Sequence, residues 1–264
     1  MIRYLASVAV VLAGAPVVAQ DSTPIEIRMI ANMGVLVTQG DRRVMIDALF
    51  TDVYDGRFRV PTAEDRAAII TGSGEFGPNT QMLFTHSHGD HFDAESVMQA
   101  TAHQGTGQLI GPHDVLVAAS GGSEAVRQAL EGTPVGGPSS DGQREQNGFD
   151  LVSRPMFHIE GVDNLTYAMT FGSTTLLHLG DTNPDEADLS TWDDTDIDVV
   201  MYPVWWSQSD RGQAKLNGDW AGALHIALHI PAHISREQAV AHFGEGHVLV
   251  DAGERITVTP GDHD

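Results

Sequence analysis

Apolar and polar residues alternate in the first ordered-looking stretches of the chain, "IEIRMI" at 25–30, "VLVTQ" at 35–39 and "RVMIDALF" at 43–50, with Gly40 and Asp41 between the last two. A period of two broken by a Gly-Asp turn predicts an antiparallel meander. The period then lengthens to that of a helix at 62–72, 93–103 and 123–131, with short apolar strands at 81–84 and 107–110 between them. The segment "GTPVGGPSSDGQREQNGFD", 132–150, has no periodicity and reads as a surface loop joining two halves of one domain. Strands follow at 151–157, 164–170, 174–179 and 197–202, and another ends at His229, where Pro231 stops it. A helix at 235–243 and a closing hairpin, "HVLVDAGERITV" at 247–258, complete the pattern. Strands and helices interleave without an internal repeat, so the expectation is a single mixed α/β domain.

The residues before this pattern, "MIRYLASVAVVLAGAPVVAQ", place one arginine ahead of a short apolar run that ends in small residues at Val17 and Ala19. This predicts a cleaved signal peptide at 1–19, a mature domain at 20–264 and a periplasmic or secreted protein. The apolar run is short and alanine-rich for a membrane anchor, so no membrane insertion is expected after cleavage. The sequence contains no cysteine, so export brings no disulfides and the fold must rest on its core or on bound metal. With 36 Asp and Glu against 14 Lys and Arg, the formal charge is −22. Such a surface repels phosphate backbones and argues against a nucleic-acid partner, leaving a small-molecule substrate as the expected one. Lys215 is the only lysine. The oligomeric state is not legible in this pattern.

Chemistry is concentrated in "LFTHSHGDHF", 83–92, where His86, His88, Asp90 and His91 follow directly on an apolar strand. In an extended segment residues two apart point the same way, so His86 and His88 can offer both imidazoles to one ion. Asp90 and His91 then sit on the turn into the next helix and aim at a neighbouring position. One motif therefore seeds two metal sites, which need a third histidine, a bridging carboxylate and a closing ligand from elsewhere. His158 ends the alternating stretch "LVSRPMFH"; Asp181 follows Gly180 in "LLHLGDTNP"; and "LHIALHIPAH" brings His229, with His225 and His233 close by. Each lies where a strand opens into a loop.

With these residues in place, the chain resembles the metallo-β-lactamase superfamily, whose His-x-His-x-Asp-His motif His86, His88, Asp90 and His91 match in full. The phrases "NMGVLV", "VMIDALF", "HLGDTNP", "DIDVVMYPVWW" and "IALHIP" are similar to the branch related to ascorbate-phosphate lactonase. The resemblance implies an αββα sandwich of two mixed sheets with helices outside and two divalent metal ions at one edge, zinc foremost, with manganese or iron as alternatives. Carried over residue by residue, it implies that His86, His88 and His158 hold the first ion and Asp90, His91 and His229 the second, with Asp181 bridging. His229 is favoured over His233 and His225 for the closing position.

The resemblance also implies that Asp47 supports the metal-binding loop through hydrogen bonds. Asn32 and Asn164 either line the pocket or shape turns, and Trp205 and Trp206 divide between a substrate wall and the core. His178 reads as a hydrogen-bonded core histidine, and His103, His113, His242, His247 and His263 as surface positions. The mechanism so implied is attack by a metal-bridged hydroxide on an ester, lactone or related bond, with Asp90 orienting it and Asp181 holding the two ions together. Candidate specificity loops are 50–62, where Arg57 and Arg59 can meet an anionic group, and 203–220. β-Lactamase or phosphodiesterase activity at the same site, a non-catalytic exported metal-binding protein, and a di-iron redox variant are the competing readings.

Overall fold

The computed structural model of the chain describes residues 23–260 apart from 53, 78, 106–108, 125, 127, 129–141 and 147. The expected leader at 1–19 and His263 lie outside the described residues, as does most of the helix expected at 123–131. The meander forms as expected from β1 (Ile25–Ala31), β2 (Gly34–Gln39) and β3 (Arg42–Ile46), each antiparallel to the next. Parallel to β3 run β4 (Gln81–Leu83) and β5 (Leu109–Ile110), and β12 (Arg255–Val258) pairs with β1 at the far edge.

A second six-stranded sheet is built from β6 (Gly142–Gln146), β7 (Phe149–Pro155), β8 (Leu165–Phe171), β9 (Thr174–His178), β10 (Val199–Pro203) and β11 (Leu224–Leu228), in the order β11-β10-β9-β8-β7-β6. Its first three strands are antiparallel neighbours, and β9, β10 and β11 run parallel.

The alternation of side chains explains the layering. In β10, Val199 and Met201 face the first sheet while Val200 and Tyr202 face the other way, and in β3 Val44 and Ile46 oppose Met45 in the same manner. Because both faces of each sheet are covered, the strands read as near-continuous apolar runs. The outer face of the first sheet packs on α1 (Ala63–Thr71), α2 (Ala94–Gln104) and α3 (His113–Ala119) through Ile69, Val97 and Leu116. That of the second packs on α4 (Asp210–Asn217) and α5 (Arg236–Phe243) through Leu216 and Ala239. The result is the αββα sandwich of two mixed sheets.

Helix starts are set by local chemistry. Thr62, Asp93 and Ser235 each cap a helix by accepting a backbone N–H three residues on, and Ser235 completes a capping box with Gln238.

Three expectations need correction. The loop expected at 132–150 contains β6, because the Asn-Gly dipeptide at 147–148 is a hairpin turn signal that pairs Gln146 with Phe149. The closing hairpin does not form: Val248 bridges to Ala227 in the second sheet while β12 joins the first, so this segment crosses between sheets instead of folding back. Helices α3 and α4 were not expected, since seven and eight residues give too little periodicity to register. Among the described residues no helix is long and apolar enough to cross a membrane.

The lone lysine has a structural post. Lys215 on α4 donates to both Asp193 and Asp219 and lies 5.1 Å from the Trp220 ring centroid, its side chain 5% exposed. Between the sheets, fully buried Tyr167 of β8 donates its hydroxyl to the Phe84 carbonyl at 2.7 Å, pinning the second sheet to the end of β4. Tyr167→Phe leaves that carbonyl without its partner in an apolar interior. The expected loss is about 1–2 kcal/mol, read as a lower urea midpoint at unchanged slope.

Candidate metal centre

The strand β4 ends at Leu83, and from Thr85 the chain leaves the sheet edge and turns sharply: His91 N–H and Phe92 N–H both bond the His88 carbonyl, at 3.0 and 2.9 Å. The turn puts His86, His88 and His91 around one point. From the second sheet, the segments after β7, β9 and β11 bring His158, Asp181 and His229 to the same edge.

Seven side chains form two adjoining groups. In one, His86, His88, His158 and Asp181 each offer a ligand atom within 4.8 Å of the others. In the other, Asp90, His91 and His229 do the same. Asp181 lies between them, with one oxygen 3.2 Å from His91 Nε2 and the other 3.4 Å from His229 Nε2 and 3.8 Å from His86 Nε2. All seven residues singled out in the sequence therefore meet.

Of the three candidate histidines in "LHIALHIPAH", the one brought to the cluster is His229. It leaves β11 with φ near +60°, which turns its ring out of strand register, and its N–H is held by the Asn32 carbonyl at 3.0 Å. His225 stays in β11 and donates instead to the Trp220 carbonyl at 2.8 Å, while His233 is exposed beyond Pro231.

Supporting contacts fix which nitrogen faces inward. Buried Asp47 accepts the Thr85 N–H at 2.7 Å and the Thr85 hydroxyl at 2.6 Å, and lies 2.9 Å from His91 Nδ1. His91 Nδ1 therefore donates to the carboxylate, and Nε2 is the nitrogen that faces the cluster. With its proton given to Asp47, the Thr85 oxygen accepts from His86 Nδ1 at 2.9 Å, and the same tautomer follows at His86. Thr85 was not singled out in the sequence, although it directly precedes the motif.

Asn32 donates to the Asp90 carbonyl and carboxylate at 3.2 and 3.1 Å, so it positions a site residue. Asn164 shapes the Asp181 turn, accepting the Asp181 N–H at 3.3 Å and donating to Thr182 Oγ1 at 3.1 Å. Gly180 in that turn has φ near +53°, and a Cβ there would stand 2.5 Å from Asn164 Oδ1 and 2.8 Å from Thr85 Cβ. Only glycine lets the two loops close on Asp181. His178 is the expected core histidine, buried with Nε2 donating to the Met33 carbonyl at 3.1 Å.

Electrostatics tie the cluster together. Burial works against charge on His229 and His91. The carboxylates outweigh it, with Asp181 and Asp90 pushing His229 up to about 9, and Asp181 and Asp47 holding His91 well above the usual imidazole range. Burial, reinforced by the neighbouring His91, drives His86 far down. Burial opposes ionisation of Asp181, but His91 and His229 hold it well below the usual carboxylate range.

His86 Nε2, His91 Nε2 and Asp181 Oδ1 are buried without a well-formed hydrogen bond among the described residues, the last two standing 3.2 Å apart as an ion pair. Orphaned donor atoms that converge from different loops are costly unless something binds them. Nitrogen and carboxylate ligands at this spacing suit a divalent transition metal, so the residues fit the expected ions.

The rim differs from expectation at the arginines. Arg59 is committed to structure, donating to the carbonyls of Ile230, Pro231 and Ile234 at 3.1, 3.2 and 2.8 Å and pairing with Asp251 at 3.2 Å. It thereby clamps the segment that follows His229. Arg57 lies over Phe58, whose ring is 4.9 Å from that of His229. The tryptophans divide: Trp205 packs edge-on 4.9 Å from His229, whereas Trp206 is buried and stacks on Trp220.

Residues 42–258 match the family model described as "Beta-lactamase superfamily domain". No curated protein matches the chain. Among solved structures, isothiocyanate hydrolase from Delia radicum gut bacteria aligns with TM-score 0.56 at 16% identity, over 89% of this chain and 99% of that one. Igni18, a metallo hydrolase from Ignicoccus hospitalis, aligns with TM-score 0.59 at 15% identity, over 89% and 99%. The metallo-beta-lactamase fold protein YhfI from Bacillus subtilis gives 0.55 at 16%, over 89% and 100%. At these identities the likeness is one of fold, and it agrees with the matched family model. The chain belongs to the beta-lactamase superfamily and has the metallo-β-lactamase fold.

Proposed function

We propose that the chain is an exported, dinuclear metal-dependent hydrolase of the lactonase-related branch, acting on an ester, lactone or related bond. The observation that carries this is the convergence of the two ligand groups on a shared Asp181, with orphaned nitrogen and oxygen atoms directed between them. His86, His88 and His158 would hold one ion and Asp90, His91 and His229 the other, with Asp181 touching both. When bound, such ions lower the pKa of coordinated water to about 7 and polarise the bond under attack.

The chain's own residues do the rest. Asn32 fixes the Asp90 carboxylate, which lies 3.2 Å from His229 Nε2 and so stands beside the reacting position, where it can orient a nucleophilic water. Asp47 and Thr85 hold His91 and His86 in the tautomers that a cation requires. Phe58 and Trp205 pack against His229 and exclude water from that flank.

Three outcomes test the reading. On a panel of lactones, esters, a β-lactam and a phosphodiester, the zinc-loaded protein is expected to turn over an ester or lactone. Asp181→Ala is expected to lose activity by about 10²-fold or more while keeping its circular dichroism spectrum. Activity that survives exhaustive chelation would refute the assignment.

Metal content separates the histidines. His229→Ala is expected to lose one of two ions, measured by elemental analysis after gel filtration, whereas His225→Ala and His233→Ala retain both.

Proton release gives the third. With His229 held protonated to about 9 in the metal-free protein, metal uptake at pH 7 must displace a proton. Calorimetry in two buffers of different ionisation enthalpy should show that release, and it should diminish as the pH rises through about 9. A release that does not change with pH would contradict it.

A further inference from the structure

The second feature of the site is what surrounds it. After His229 lies a cleft of ≈ 320 Å³ lined by the apolar Ile230, Pro231, Ile234 and Phe243 and by the polar Gln208, His233, Gln238 and His242. Next to His158 lies another of ≈ 270 Å³, lined by Pro112, Phe157, Val162 and Leu165 together with Asp163. Among the described residues no lysine or arginine lines either cleft. Of the large apolar side chains that stand exposed among the described residues, Phe157 (38%) and Ile159 (46%) flank His158, and Tyr54 (41%) packs on Phe58 at the His229 side.

Charge on the rim points the same way. The segment after His158 carries Glu160 and Asp163, and the segment after Asp181 carries Asp185 and Glu186, with no basic residue in either. The basic side chains nearby are occupied: Arg59 binds three carbonyls and Asp251, and Arg211 donates to the carbonyls of Asp185 and Ala187. Lys215 is bound to Asp193 and Asp219. Arg57 alone among these stands exposed at the rim without a carboxylate or carbonyl partner, and it lies on the Phe58 face.

We infer that the substrate of the metal centre is uncharged away from its reacting bond and carries apolar groups, which settle against Phe157 and Ile159 on one side and the Phe58–Trp205 pair on the other. The inference rests on the hydrolytic reading above and narrows it to neutral, hydrocarbon-bearing esters or lactones. It sets aside anionic substrates such as phosphodiesters, and β-lactams bearing a free carboxylate. The reacting bond would lie at the ions these residues hold, while the body of the substrate meets an apolar rim whose carboxylates outnumber its one exposed arginine, Arg57, and on balance repel negative charge. Phe157 also lines the cleft next to His158, and exposed apolar side chains beside a cleft are the usual mark of such a contact.

The test uses the metal-loaded protein and matched phenyl esters. Phenyl acetate, butanoate and hexanoate should show kcat/KM rising by roughly twofold per methylene. Monophenyl adipate, which adds a carboxylate at the far end, should fall about tenfold below phenyl hexanoate and recover part of that in high salt. The double substitution Phe157→Ser with Ile159→Ser, at exposed positions, should flatten the chain-length series mainly through KM.

A preference for the adipate ester that disappears in Arg57→Ala would overturn the inference and assign anion recognition to Arg57. So would a flat series in the wild-type protein. If no ester turns over, binding of 1-butanol and 1-hexanol, followed by tryptophan emission with Trp205→Phe as control, decides separately. Tighter binding of hexanol, lost in the double variant, keeps the apolar rim while the hydrolytic reading fails for esters. Equal binding of the two alcohols removes the rim as well.

Discussion

The carboxylate of Asp47 is the constraint on which the metal centre depends. It stands just past β3 with φ near +48°, a backbone conformation that side chains other than glycine seldom adopt, and it is fully buried. A buried carboxylate is costly unless it is paired and hydrogen-bonded. Here the Thr85 amide, the Thr85 hydroxyl and His91 Nδ1 supply three contacts. One residue thus joins the end of the meander to the histidine turn and, directly and through Thr85, leaves the Nε2 of two imidazoles facing the cluster. The two-sheet architecture supplies the rest, since the segments after β7, β9 and β11 open at the same edge.

Most of this was legible in the chain for a physical reason. The meander, the later strands and the starts of α1, α2 and α5 are local events, written as alternation and as Thr62, Asp93 and Ser235 ahead of helical periods. The ligand motif is local too. What was not legible depends on tertiary packing or on a short signal. The β6–β7 hairpin was announced only by an Asn-Gly dipeptide inside a polar stretch. His229 was favoured over His225 and His233, but the left-handed conformation in which it leaves β11 was not legible in the local pattern. Arg59 looked like a receptor for an anion and proved to be a clamp on carbonyls 171 to 175 positions away.

The cluster is also a source of conflict in the metal-free chain. With ring centroids 4.1 Å apart, His86 is pushed well below and His91 well above the usual imidazole range, and Asp181 and Asp90 push His229 up to about 9. Two carboxylates and several imidazoles at hydrogen-bond distance satisfy one another only in part. Cations that bind the folded form alone would remove the conflict, and folding would then be linked to metal loading.

Lys215 has a practical consequence. Because the only lysine of the sequence is held inside an acidic pair and against Trp220, a lysine-specific protease finds no accessible site while the described domain stays folded. Unfolding of α4 exposes a single scissile position, and cleavage there gives two fragments of defined length. The appearance of those fragments on a gel is a direct clock for opening of the second-sheet flank, with no label or dye attached to the chain.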